Sequence, residues 1–172
     1  MKSLLFVIPS IGLALISFSC QHSGLSTLDY DKLNYDTNKI VIFKWDTAKY
    51  IFPDNSKPLP LTQKDLKIVD SLLTDAIDSF NIRISPELYG SFENRVPIEN
   101  FIIEHDKYKY QYFPFKDVNG QRIIDIIGFS TDFQPWRTKV YLGRLHYGIS
   151  KMELKVNLSE TSREKLYTGD YG

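Results

Sequence analysis

Cysteine is almost absent from this chain, with one copy in 172 residues. That excludes an internal disulfide framework and any metal site built on several thiolates. Histidine is scarce as well. His22, His105 and His146 are the three copies, and none pair at the HxH or HxxxH spacing that presents two imidazoles to one ion. Neither sign of charge is in excess, at 21 basic against 21 acidic side chains, so the basic surface that nucleic acid demands is missing. No P-loop, GxGxxG fingerprint or GxSxG elbow occurs, which leaves no nucleotide cradle and no hydrolase nucleophile of those kinds. No cofactor and no metal is implied. What the chain does have is 14% aromatic and 24% charged residues, a mixture that folds rather than stays disordered, at a length suited to one domain.

The start of the chain carries the clearest signal. Met1-Lys2 is positive, and residues 3–18 are mostly apolar but broken by Pro9 and Gly12, as in a secretory h-region rather than a spanning helix. The run closes on Ser17-Phe18-Ser19-Cys20, which holds the single cysteine. This stretch resembles the signal peptide of bacterial lipoproteins, in which a small residue precedes a cysteine that is acylated on sulfur and becomes the new N-terminus. Ser19 and Cys20 match its two most constrained positions, while Ser17 stands where the family prefers Leu. The resemblance implies lipid attachment at Cys20 and a membrane as partner, reached through several acyl chains at about 0.8 kcal/mol per buried CH₂. Gln21 rather than Asp follows the cysteine, which in that family leans towards the outer membrane. Which face of the membrane is not encoded there. An ordinary signal peptide and an uncleaved anchor are the alternatives.

Three segments follow from this: a lipoprotein signal at 1–19, a lipidated cysteine with a polar tether at 20–38, and a single domain at 39–172. Within the domain, residues 40–45 (IVIFKW) read as a first strand, with Tyr50-Ile51-Phe52 continuing it after a bend. Leu66, Val69, Leu72, Leu73, Ala76, Ile77 and Phe80 recur at helical steps behind a Thr62–Asp65 capping box, predicting an amphipathic helix of about 18 residues. Asp65, Lys67, Asp70, Thr74, Asp75 and Asp78 fall on its polar face. Tyr108 to Phe113 alternates, Asn119-Gly120 predicts a type I′ hairpin turn, and the Ile-rich run 122–129 is the return strand. Residues 136–142 and 165–168 are further candidate strands, and 151–158 alternates as a strand with one wet face must. The expected fold class is α+β: an antiparallel sheet of about five or six strands with one helix packed on one face.

Candidate chemistry is thin. Glu104-His105-Asp106 places three polar groups in a row, but neighbours on a strand point to opposite sides, so at most two converge. Glu93, Glu99, Glu104 and Asp125 are available as carboxylate pairs for glycoside cleavage, which needs them about 5–10 Å apart across a cleft. Asp125 stands out because it interrupts an Ile-rich strand. Aromatics supply a candidate binding face: Tyr108, Tyr110, Tyr112, Trp136, Tyr141 and Tyr147, suited to a protein or carbohydrate ligand. The expected function is therefore a lipid-anchored envelope protein with a non-catalytic domain for binding or assembly. A small hydrolase acting on glycans and a structural spacer are the competing readings. A pocket lined by convergent acids marks the hydrolase, and an exposed apolar or aromatic patch marks the binding module.

Overall fold

The turn at Asn119-Gly120 sets the frame, though Asp117 builds it. The Asp117 carboxylate accepts from the Asn119 and Gln121 amides at 2.9 and 2.8 Å, and Gly120 takes φ +80. The Gly120 amide donates to Asp117 O at 3.0 Å. Asn119 keeps a negative φ, so the expected two-residue type I′ turn is replaced by a longer loop with glycine in the left-handed position. The computed structural model describes residues 29–46, 48, 51–87, 101–130, 134–141 and 149–168, with backbone alone at 84–87.

Seven strands among these make one sheet: β1 (Ile40–Ile42), β2 (Lys57–Pro58), β3 (Lys109–Lys116), β4 (Arg122–Phe129), β5 (Lys151–Asn157), β6 (Ser162–Arg163) and β7 (Tyr167–Thr168). The antiparallel meander β3-β4-β5 is the body. β1 and β2 pair with the outer edge of β3, and β6 and β7 with the outer edge of β5. The α+β expectation holds, with one departure. β1 and β3 are parallel, with Ile40 opposite Tyr110, so the sheet is mixed. The one α-helix among the described residues, α1 (Gln63–Glu87), lies between them in sequence and supplies the crossover that a parallel pair requires.

α1 buries the predicted stripe, Leu66, Val69, Leu73, Ala76, Ile77 and Phe80, against Tyr110, Tyr112, Ile124, Ile126, Leu154 and Val156 of the sheet. It runs longer than the periodicity indicates, 25 residues, past the last apolar anchor at Phe80. Asn81 explains part of the extension. Its amide donates to Ile103 O at 3.0 Å and accepts from Ile103 N at 2.9 Å, mimicking a strand partner for residues 101–103. Asp65 departs from expectation more sharply. It is 3% exposed, and its Oδ2 accepts from Thr62 N, Thr62 Oγ1 and the Arg122 guanidinium at 2.8, 2.8 and 2.6 Å. The cap thus also bolts α1 to the start of β4.

The domain begins before residue 39. Tyr30 is 3% exposed and donates its hydroxyl to Leu59 O at 2.7 Å. Asn34 and Gln63 exchange two hydrogen bonds of 2.9 Å, fastening the same segment to the N-terminus of α1. Residues 29–38 therefore belong to the folded body, and not to a free tether. Residues 136–141 form turns and coil instead of the expected strand, and Ile51 and Phe52 lie in a turn and do not extend β1. No helix among the described residues is long and apolar enough to cross a membrane.

Candidate functional site

Side chains opposite one another in an antiparallel pair share a face, so register decides what meets on the side of the sheet away from α1. Phe113, Asp125 and Lys155 form one row across β3, β4 and β5. Ile127, Glu153 and Tyr167 form the next, and Ile123, Asn157 and Ser162 the row on the other side. Over β3 this face is roofed. Phe43, Ala48 and Phe52 from the segment after β1, with Val140, pack on Phe113, Phe115 and Ile123 as a second apolar cluster. Phe43 stacks on Phe113 at 5.1 Å, and Trp45 Nε1 donates to Ser56 Oγ at 3.0 Å, holding the roof in place. The roof reaches β4 at Ile123 and Ile127, and over β5 it stops. The result is a step: an apolar wall beside an open, charged floor.

Two concavities lie along that step. One, of about 290 Å³, is lined by Ile51, Phe113, Asp125, Ile127, Glu153, Lys155, Glu164, Lys165 and Tyr167. The other, about 390 Å³, has Pro53, Phe115, Asn157, Glu160 and Ser162 among its walls and shares Lys155 and Glu164 with the first. Both are of small-ligand size. Most of the floor charges are already matched: Lys151 with Glu153 at 2.6 Å, and Lys155 with Glu164 at 3.6 Å. Asp125 is not. Its Oδ1 is buried without a hydrogen-bond partner, and no ion pair reaches the carboxyl.

Burial pushes the Asp125 carboxyl up to about 6; Lys155 pulls it down, and Glu164 and Glu153 push it further up. The folded protein therefore holds this proton more tightly than the unfolded chain, whose value lies near 3.8. Stability falls as pH rises between roughly 4 and 6, and the full penalty is present above that window. Replacing Asp125 with Asn is expected to stabilise the protein at pH 7 by about 1–3 kcal/mol. The gain should vanish near pH 4. Urea unfolding at both values checks this, and an equal or lower stability at pH 7 contradicts it. A buried carboxyl with a raised pKa beside a concavity makes Asp125 the candidate site residue of this face.

The aromatic face expected from sequence is not one. Tyr108, Tyr110 and Tyr112 are 1–3% exposed and belong to the helix-side core. Tyr108 donates to Ile149 O, and Tyr110 to His105 O. Trp136 is 3% exposed, edge-on to Phe129. Tyr141 is half-buried and stacked on Phe129 at 4.7 Å. The agent behind the last two is Gln111, which lies in β3 with 0% exposure. Its Nε2 donates to Trp136 O and Lys139 O at 2.6 and 2.8 Å, and its Oε1 accepts from Tyr141 N at 2.7 Å. These aromatics mostly close a core: Tyr108 and Trp136 are buried in it, while Tyr110 and Tyr112 also line a concavity on the helix side and Tyr141 stays half-buried. Cys20, Tyr147, Glu93 and Glu99 lie outside the described residues.

Glu104, His105 and Asp106 scatter as the strand argument implied, though on a 3-10 turn. Glu104 pairs with Lys107 at 2.6 Å, Asp106 with Lys39 at 2.6 Å, and His105 lies against the Tyr110 ring at 5.1 Å. His105 borders a third concavity of about 280 Å³ between residues 34–40 and α1, with its Nε2 buried and unpartnered. No group of three His, Cys, Asp or Glu among the described residues is arranged to hold a metal ion. Glu153, Lys155, Glu164 and Tyr167 escaped the sequence reading as site residues. The alternation of 151–158 marked Glu153 and Lys155 as wet, but only the β4–β5 register places them beside Asp125. No family model, curated protein or solved structure matches this chain, so the groove is read from its own chemistry.

Proposed function

We propose that this chain is a lipid-anchored envelope protein, moored through acyl chains on Cys20 at the outer membrane. Its α+β domain serves binding or assembly without catalysis, using the stepped groove over β4 and β5 as its ligand site. The observation that carries the binding half is the unroofed sheet face, where a buried carboxyl without a partner lines a concavity of about 290 Å³. The anchor rests on Ser19-Cys20 at the end of the apolar run. Cells expressing the chain and fed a palmitate analogue are expected to label it and to hold it in the membrane fraction. Cys20→Ser should lose both, and unchanged labelling of that variant contradicts the anchor.

One observation favours a glycan hydrolase as second reading. Asp125, Glu153 and Glu164 line the same concavity, and Asp125 is the one pushed towards the protonated form. A raised acid beside salt-bridged carboxylates resembles the division of labour that glycoside cleavage uses. Release of reducing ends from envelope glycans, abolished by Asp125→Asn, would replace the binding reading with this one.

A further inference from the structure

Resting on that reading of the groove, we infer that its smaller concavity takes a primary ammonium group on a short alkyl stem, with Asp125 as counter-ion. The reasoning is one of unspent capacity. Glu153 already has Lys151, and Glu164 has Lys155. Asp125 alone among the carboxylates lining the cavity has no ion pair, and one of its oxygens is buried with nothing to accept from. A buried carboxylate in that state needs a donor, and a cation serves it best.

The surroundings select among donors. β5 presents Glu153 and Lys155 to Asp125, and the segment after β6 presents Glu164 and Lys165. β3 and the roof contribute only Phe113 and Ile51, which are uncharged, and β4 itself adds Ile126 and Ile127. With Glu153 and Glu164 balanced by Lys151 and Lys155, Asp125 is the one carboxyl of the lining without an ion pair, and Lys165, at the same cavity, does not pair with it. Ile51, Phe113 and Ile127 offer the apolar wall along which methylene groups lie, while the ammonium head reaches the carboxyl. Tyr167, 45% exposed, stands at the same cavity. Aromatic rings attract cations too.

The test uses the full chain purified in detergent. Cadaverine and Nα-acetyl-lysine N-methylamide are the probes, and 1,5-pentanediol is the neutral isostere of cadaverine. At pH 7.5 calorimetry is expected to show saturable binding of at least one amine, at least tenfold tighter than the diol. Binding should weaken at least tenfold in Asp125→Asn and also at pH 5, where the carboxyl takes up its proton. Lys155→Met, which removes the competing ammonium, should bind several-fold tighter, an effect that a merely structural role for Asp125 would not produce. Carbon-13 titration of Asp125 should show its midpoint falling by at least one pH unit at saturation. Preference for cadaverine identifies a free amine as ligand, and preference for the lysine amide identifies a peptide side chain. Absence of saturable amine binding, or undiminished binding in Asp125→Asn, overturns the inference. Equal binding of the diol also overturns it, while leaving the groove as a ligand site.

Discussion

Gln111→Leu is expected to destabilise the protein by roughly 3–5 kcal/mol, the largest effect of any single substitution considered. Leucine fills nearly the same volume, so the loss is not a cavity effect. It comes from three backbone groups, Trp136 O, Lys139 O and Tyr141 N, that all find their partner in one buried amide. Each group costs about 1–3 kcal/mol when buried and unpaired, and partial opening of the segment to water keeps the total below the simple sum. The opening has its own signature. Trp136 is packed edge-on to Phe129 with the Lys109 ammonium 5.5 Å and the Arg137 guanidinium 5.0 Å from its ring. Its fluorescence should shift to the red in Gln111→Leu before the main unfolding transition. A loss under about 1 kcal/mol, with unshifted emission, would mean that the 136–141 segment holds itself in place.

Asp65→Ala comes next, at roughly 2–4 kcal/mol. Capping alone accounts for about 1 kcal/mol of that. The remainder comes from the Arg122 contact, moderated because the Arg122 side chain is 34% exposed and can turn to water. Burial of Asp65 raises its carboxyl, but hydrogen bonds from Arg122 and Thr62 outweigh it and hold the group below its ordinary 3.8. Its contribution is therefore complete above about pH 4 and is lost as pH falls through the depressed value. Wild type and Asp65→Ala should differ most near neutrality and converge in acid, as urea midpoints across pH will show. Asp125 has the opposite sign, so the double variant should be nearly flat where each single variant slopes. A gap between wild type and Asp65→Ala that does not narrow in acid would sink the account of the cap as an ionic bolt.

Local pattern carried the helix and the hairpin because each is specified by residues close in sequence. Leu66 to Phe80 repeats at helical steps, and Gly120 takes the one positive φ the turn requires. The parallel β1–β3 pair was not legible, because its register joins Ile40 to Tyr110 across the whole of α1. The aromatic face failed for a related reason. Tyrosines alternating along β3 suit either an exposed platform or a core, and Trp136 is drawn inward by a glutamine twenty-five residues earlier. Asp125 was visible as an interruption in an apolar strand. Its neighbours were not, since β4 and β5 are joined through residues 130–150 and no short turn fixes their register.

Tyr30 ties the chain into the folded body ten residues after Cys20. From Cys20 to Asp29 is nine chain steps, which reach about 30 Å when fully drawn out. With Cys20 lipidated as proposed, the body rides at a low altitude above the headgroups. The described chain begins among the helix-side residues around Tyr30 and Leu59, and the groove opens on the other side of the sheet. An anchor at Cys20, as proposed, would leave the groove's mouth uncrowded, and lateral drift across the bilayer would decide which molecules pass it.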